Sequence, residues 1–103
     1  MIAAPPPPPA RVQVVAQEFR FALSRTSVRA GRAVIELRNG GQDAHDLRMR
    51  RVGGARVYVW PAVQPGQVAD EQFTLLPGTY VLWCSVANHR GLGMTARLVV
   101  RKR

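Results

Sequence analysis

The chain has 103 residues and a hydrophobic fraction of 47%, which suit one folded domain around a single core. Its 15 Lys and Arg residues against 6 Asp and Glu give a net charge of +9, and all of the basic residues except Lys102 are arginines. No apolar run approaches the roughly 20 residues that span a bilayer, and the single cysteine, Cys84, excludes an intrachain disulfide.

The N-terminal segment, residues 1–10, contains a run of five prolines and is predicted to be an extended polyproline II linker or the remnant of a tether. It lacks the charged start and the apolar centre of a signal peptide. The folded domain is therefore predicted to span residues 11–103.

From residue 11 onward, short runs of alternating apolar and polar residues are separated by turn signals, which is typical of β-strands. Pro61, Asn39-Gly40-Gly41 and Pro77-Gly78 are among the breaks. No segment has the period and caps of a long helix. The predicted strands cover residues 12–16, 19–22, 32–39, 45–51, 67–75, 79–84 and 94–100, and residues 56–60 are a candidate eighth strand, whereas 27–29 leads into the turn Ala30-Gly31. Seven or eight short strands predict an all-β, single-domain antiparallel sandwich.

Three side chains able to bind a metal lie at the ends of these strands. Because strand side chains alternate between faces, His45, Cys84 and Met94 are each predicted to point toward the apolar interior. Each alone is more often an ordinary core residue, so only their combination would indicate a metal site.

The combination is the segment from Cys84 to Met94, which reads Cys-x4-His-x4-Met and includes His89. A loop between two adjacent strands can deliver its residues to one point, and Gly91 and Gly93 permit the tight return. With His45, the set is two imidazoles, one thiolate and one thioether, the ligand set of a type 1 copper site. The predicted metal ligands are therefore His45, Cys84, His89 and Met94, holding one copper ion.

The sequence also resembles the cupredoxins, the plastocyanin, azurin and auracyanin group in particular. The resemblance rests on 39–45, which reads NGGQDAH, on 76–84, which reads LPGTYVLWC, on the Cys-to-Met loop and on the closing strand 96–100. It covers roughly residues 11–100. It implies a Greek-key cupredoxin-like β-sandwich and a blue copper protein that carries electrons and is not an enzyme.

The resemblance further implies roles for residues around the ligands. The backbone N–H groups of Asp46 and Val86 are expected to donate to the thiolate sulfur, although Asp46 stands where azurin-like proteins often have Asn. His89 is expected to be the exposed ligand, with its ring edge opening on an apolar patch where electrons enter and leave. The patch is predicted to comprise Leu92, Gly91, Val86 and Gly41, with Arg90 beside it.

The sequence is also compatible with other functions. A copper chaperone or storage module on the same fold is the main alternative, and a domain of a multicopper oxidase or a copper-free binding module are others. The expected partners are redox proteins with acidic docking surfaces, to which the basic charge would steer the chain. We expect no nucleic-acid partner, because the arginines are scattered, and we expect a monomer with a membrane tether. The expected location is the periplasm or the outer cell surface.

Overall fold

The structure, a computed structural model, describes residues 4–102. The first three residues of the predicted N-terminal linker and Arg103 therefore lie outside the described residues. The described chain forms nine strands: β1 (Ala10–Gln17), β2 (Arg20–Leu23), β3 (Ser27–Arg29), β4 (Gly31–Asn39), β5 (His45–Arg51), β6 (Val57–Val63), β7 (Val68–Leu75), β8 (Gly78–Trp83) and β9 (Thr95–Arg101).

These strands form two packed sheets, in the orders β2-β1-β4-β7 and β3-β9-β8-β5-β6. The predicted all-β sandwich is confirmed, with nine strands where seven or eight were expected. The pairing is mixed and not purely antiparallel, because β1 pairs with β4 and β3 with β9 in parallel. The chain leaves the first sheet after β2, adds β3 to the other sheet, and returns as β4 in the direction of β1.

The core lies between the two sheets and is built from the alternating apolar residues of each strand. Trp60 on β6 reaches across it and donates its indole N–H to the backbone oxygen of Ile35 on β4 at 2.9 Å. Phe73 of β7 packs edge-on against Trp60 and Tyr58, with ring centroids 5.2 and 4.7 Å away. These contacts join the sheets through the buried rings of Trp60 and Tyr58 and the partly buried ring of Phe73, which helps to fix the positions of the strand ends.

Strand β6 ends later in the chain than predicted. It was expected to stop before Pro61, but it runs through this residue to Val63. β6 is the edge strand of its sheet, so a proline without a backbone N–H is tolerated where that group would face solvent. Within residues 4–102, no helix is long and apolar enough to cross a membrane.

Candidate metal centre

The segment between β8 and β9 brings three of the predicted ligands to one end of the sandwich. Cys84 directly follows β8 and Met94 directly precedes β9, and the Cys84 backbone N–H donates to the Met94 oxygen at 3.2 Å. Inside the loop, the His89 oxygen accepts from the backbone N–H of Leu92 at 3.1 Å and of Met94 at 3.2 Å. The antiparallel ladder therefore holds both ends of the loop, and turns of its own backbone hold His89 between them.

His45 enters the same region as the first residue of β5, which lies next to β8 in the sheet. A ligand atom of His45, one of His89 and the sulfur of Cys84 all lie within 4.8 Å of one another. The Cys84 sulfur is 3.7 Å from Nδ1 of His89, and the two imidazole centroids are 5.0 Å apart. The structure thus gathers these three predicted ligands, and it buries Met94 completely at the end of the same loop.

The two nitrogens of His45 have different surroundings. Nε2 lies 3.0 Å from a carboxylate oxygen of Glu18, whereas Nδ1 is buried without any hydrogen-bond partner. A proton on Nε2, donated to the carboxylate, leaves the lone pair on Nδ1. A buried polar atom without a partner is rare and costs free energy. A metal ion bound at Nδ1 would satisfy it, so the residues present fit a metal.

Glu18, in the turn between β1 and β2, also holds the loop that precedes His45. The oxygen that contacts His45 accepts from the backbone N–H of Gln42 at 2.7 Å and of Asp43 at 2.6 Å. These hydrogen bonds, that of Asp43 foremost, lower the pKa of Glu18 to about 2, so it is an anion at neutral pH. A Cβ on Gly41 would lie 2.5 Å from either carboxylate oxygen, so this approach requires glycine.

His89 is less accessible than the resemblance implied. It is only 6% exposed, and its Nε2 lies 3.6 Å from a carboxylate oxygen of Asp43. The ring of Phe19 covers it, with centroids 5.0 Å apart. The expected apolar patch is present only in part: Leu92 and Gly91 are exposed, whereas Val86 and Gly41 are half-buried. The edge of the His89 imidazole is therefore covered and flanked by a carboxylate, whereas an open edge was expected.

The predicted donors to the cysteine sulfur are Asp46 and Val86. Burial raises the pKa of the Cys84 thiol, and hydrogen bonds from the backbones of Asp46 and Val86 lower it in part. The thiol therefore stays protonated without a cation, and a metal must displace that proton to bind sulfur. The two backbone donors would then stabilise the thiolate.

The side chain of Asp46 is buried. A register shift in β5 between His45 and Leu47 turns the chain here, and all three residues are buried. The carboxylate accepts from the backbone N–H of Ser85 at 2.6 Å and from its hydroxyl. Asp46 therefore ties β5 to the residue after Cys84. The side chain of Asp43, in contrast, is exposed in the loop before β5.

Glu18 and Phe19 contact the two histidines of the candidate centre and were not predicted from the sequence. They occupy a short turn far from every ligand along the chain, and no motif connects them to the histidines. The sequence contains one indirect signal, the pair Gly40-Gly41, which was interpreted as a turn, with Gly41 also assigned to the apolar patch. In the structure, this pair makes room for the Glu18 carboxylate and for Val15.

Asn39 supports the loop from its other side, and its replacement gives a testable expectation. Its buried amide donates to the backbone oxygens of Asp43 and Val63 at 2.7 and 2.9 Å and accepts from the N–H of Gly41 at 2.8 Å. Asn39→Ala is expected to lower the free energy of unfolding by about 3 kcal/mol, at about 1 kcal/mol for each lost bond. Urea denaturation measures this value, and Asn88→Ala, at an exposed loop position, is the control. Equal losses in the two variants would contradict the role of Asn39.

No protein-family model matches the sequence, and no curated protein matches it. Several solved structures, in contrast, match the chain. Auracyanin from Roseiflexus castenholzii is 17% identical, with a TM-score of 0.73 over 88% of this chain and 96% of its own. Auracyanin A from Chloroflexus aurantiacus, a "blue" copper protein, is 17% identical, with a TM-score of 0.72. The match covers 91% of this chain and 100% of auracyanin A. A reduced variant of amicyanin is 17% identical, with a TM-score of 0.64. The match covers 89% of this chain and 83% of amicyanin.

A multicopper oxidase also matches, at 19% identity and a TM-score of 0.65, over 89% of this chain but only 42% of the oxidase. At these identities the matches establish the fold alone. The chain has the cupredoxin fold that its sequence resemblance implied, over nearly the full length of the auracyanins.

Proposed function

We propose that this chain is a mononuclear type 1 copper protein that carries single electrons between redox partners, with the metal held by His45, Cys84, His89 and Met94. The observation that carries the proposal is the buried cluster of two imidazoles and one thiol, in which Nδ1 of His45 has no other partner. Thiolate and imidazole ligands with a thioether suit copper better than magnesium or calcium, which prefer oxygen.

The chain's own residues would prepare the site before any metal binds. Three of the four side chains are completely buried and His89 is nearly so, which keeps water away from the cluster. His45 is fixed by β5 and Glu18, and Cys84 and Met94 are fixed by the ends of β8 and β9. When bound, copper supplies a one-electron couple between Cu(I) and Cu(II). A rigid ligand frame rearranges little between the two states, which favours fast electron transfer.

A Cu(II) titration followed by visible absorption tests the proposal. We expect an intense thiolate-to-copper band that saturates at one copper per chain and is bleached by a reductant. A weak band typical of surface histidine binding would overturn it, because the thiolate would then not be a ligand.

The thioether of Met94 gives a separate expectation. Met94→Gln should retain copper but lower the reduction potential, because an amide oxygen favours Cu(II) more than a thioether does. Protein-film voltammetry measures the potential. Met49→Leu is the matched control, because Met49 is a second fully buried methionine and shares β5 with His45. If the potential of Met94→Gln equals that of the unmodified protein, the Met94 thioether does not bind the copper.

A copper chaperone or storage function on the same fold is the alternative. Transfer of a metal ion by ligand exchange needs accessible ligands, and the side chains of this cluster are at most 6% exposed. A multicopper oxidase domain would need further histidine clusters, and the sequence has two histidines, both in this cluster. Both features favour electron transfer without an enzymatic step.

The proposal includes a location in the periplasm or at the outer cell surface, because the abundant thiols of the cytosol would compete for copper. Residues of the proline-rich segment would serve as the spacer to a tether. Osmotic-shock fractionation of the source cells tests the location, and recovery of the protein with the cytosolic fraction would contradict it.

A further inference from the structure

The outward side of the five-stranded sheet carries a set of arginines whose positions follow from the strand register. Arg50 of β5 lies beside Val81 of β8, which lies beside Arg97 of β9. Nearer the metal centre, Arg48 lies beside Trp83. At the other end, Arg29 of β3 pairs with Arg101 of β9. The five side chains Arg29, Arg48, Arg50, Arg97 and Arg101 are here called the arginine face.

Carboxylates are almost absent from this face. Among the described residues of its five strands, the one acidic side chain is Asp46, which is 8% exposed, binds Ser85 and lies 3.8 Å from Arg48. The outer face of the four-stranded sheet differs, because its arginines share the surface with Glu36 and Asp70. The positive potential of the chain is therefore concentrated on one sheet.

Apolar side chains are interspersed with these arginines. Val57, Val59 and Val99 are 42%, 43% and 45% exposed on the same sheet. The half-buried ring of Trp83 lies under the guanidinium of Arg90, 4.7 Å from the ring centroid. Arginine and aromatic residues are enriched in protein interfaces, where carboxylates and lysines are depleted. The composition of the face is thus that of a protein-binding surface more than of a solvated one.

The end of the molecule at His89 is less suitable for an acidic partner. Phe19 covers the imidazole, and the carboxylates of Glu18 and Asp43 flank the two histidines. A negatively charged partner would be repelled from these carboxylates. On the arginine face, in contrast, Trp83 immediately precedes Cys84, so a partner seated there is still close to the metal centre.

We propose that the arginine face is the docking surface for an acidic protein partner, in preference to the His89 end. This inference rests on the proposed electron-carrier function, which supplies the reason for the partner to approach Cys84. The opposite charges would steer the encounter, and the exposed valines and Trp83 would provide its apolar contacts.

The first experiment maps binding without any electron transfer. The probe is cytochrome c whose lysines have been succinylated, which makes it acidic, and unmodified basic cytochrome c is the control. Two-dimensional NMR of the 15N-labelled chain, in the Cu(I) form and without copper, each mixed with the fully reduced probe, is expected to show amide shifts at Arg50, Val81, Arg97 and their neighbours. Shifts concentrated at His89 or on the four-stranded sheet would overturn the proposal.

Two double variants then distinguish binding to the arginine face from attraction by the net charge of the chain. Arg50→Gln with Arg97→Gln removes two charges from the arginine face, and Arg11→Gln with Arg38→Gln removes two from the exposed outer side of the other sheet. At low ionic strength, we expect the first pair to weaken binding of the acidic probe about tenfold and the second less than twofold. Equal weakening would mean that net charge alone attracts the probe, which overturns the proposal.

Two further measurements complete the test. Stopped-flow electron transfer to the acidic probe should slow in parallel with binding; if face-specific binding is found without any copper-dependent electron transfer, the docking surface stands and the proposed function fails. Co-sedimentation with phosphatidylglycerol vesicles tests a membrane as the occupant. If the Arg50/Arg97 variant loses vesicle binding but keeps its affinity for the acidic probe, the proposal is overturned.

Discussion

Cys84→Ser is expected to abolish the intense visible band of the copper-loaded protein completely. The band requires a thiolate bonded to copper, and this chain has a single cysteine that no other thiol can replace. A serine hydroxyl stays protonated at neutral pH and is a poor ligand for Cu(I), so affinity for Cu(I) should fall by at least about 100-fold. Absorption spectroscopy and a competition titration with a Cu(I) chelator measure the two effects.

The control for this variant must separate lost ligation from lost folding, because Cys84 is completely buried. Circular dichroism and thermal unfolding of the metal-free proteins provide it, together with Cys84→Ala, which adds no buried hydroxyl. Both variants should fold and lack the band. A variant that folds and retains the band would show that the sulfur of Cys84 is not the source of the colour.

The architecture and the grouping of ligand types were predictable because they depend on local signals. Alternation along 31–39 and 45–51 indicates strands with one buried face, and turn residues mark where the strands end. A Cys-x4-His-x4-Met segment between two such strands has both ends fixed by their pairing. His45 follows from the same argument, because it begins a strand with an inward first residue.

What could not be predicted depends on contacts between segments distant in the chain. The turn at Glu18 and Phe19 reaches both histidines only because β1 pairs in parallel with β4, whose end carries the loop before His45. The burial of Asp46 depends on a shift of register that alternation does not reveal. The exposure expected for His89 was wrong for the same reason, since the ring that covers it is that of Phe19, in the turn between β1 and β2.

Glu18→Gln is expected to raise the reduction potential of the copper-loaded protein by roughly 60 mV, a tenfold change in a one-electron equilibrium. Glu18 is an anion that contacts Nε2 of His45, so it stabilises the more positive oxidation state and makes the imidazole a stronger ligand. Glutamine keeps an acceptor oxygen for the two loop amides but removes the charge. Affinity for Cu(II) should fall about 10- to 100-fold, as is usual when such a partner of a metal-binding histidine is lost.

Voltammetry distinguishes this effect from a merely structural one. If Glu18 acted only as a support for residues 42–43, Glu18→Gln would lower the thermal stability of the metal-free chain and leave the potential unchanged. Glu36→Gln is the matched control, because Glu36 is a partly buried carboxylate on the four-stranded sheet that accepts from the Gln13 amide at 2.7 Å. An equal shift in both variants would reflect net charge alone. A shift confined to Glu18→Gln would assign the effect to the negative charge beside His45, since Glu36 contacts neither histidine.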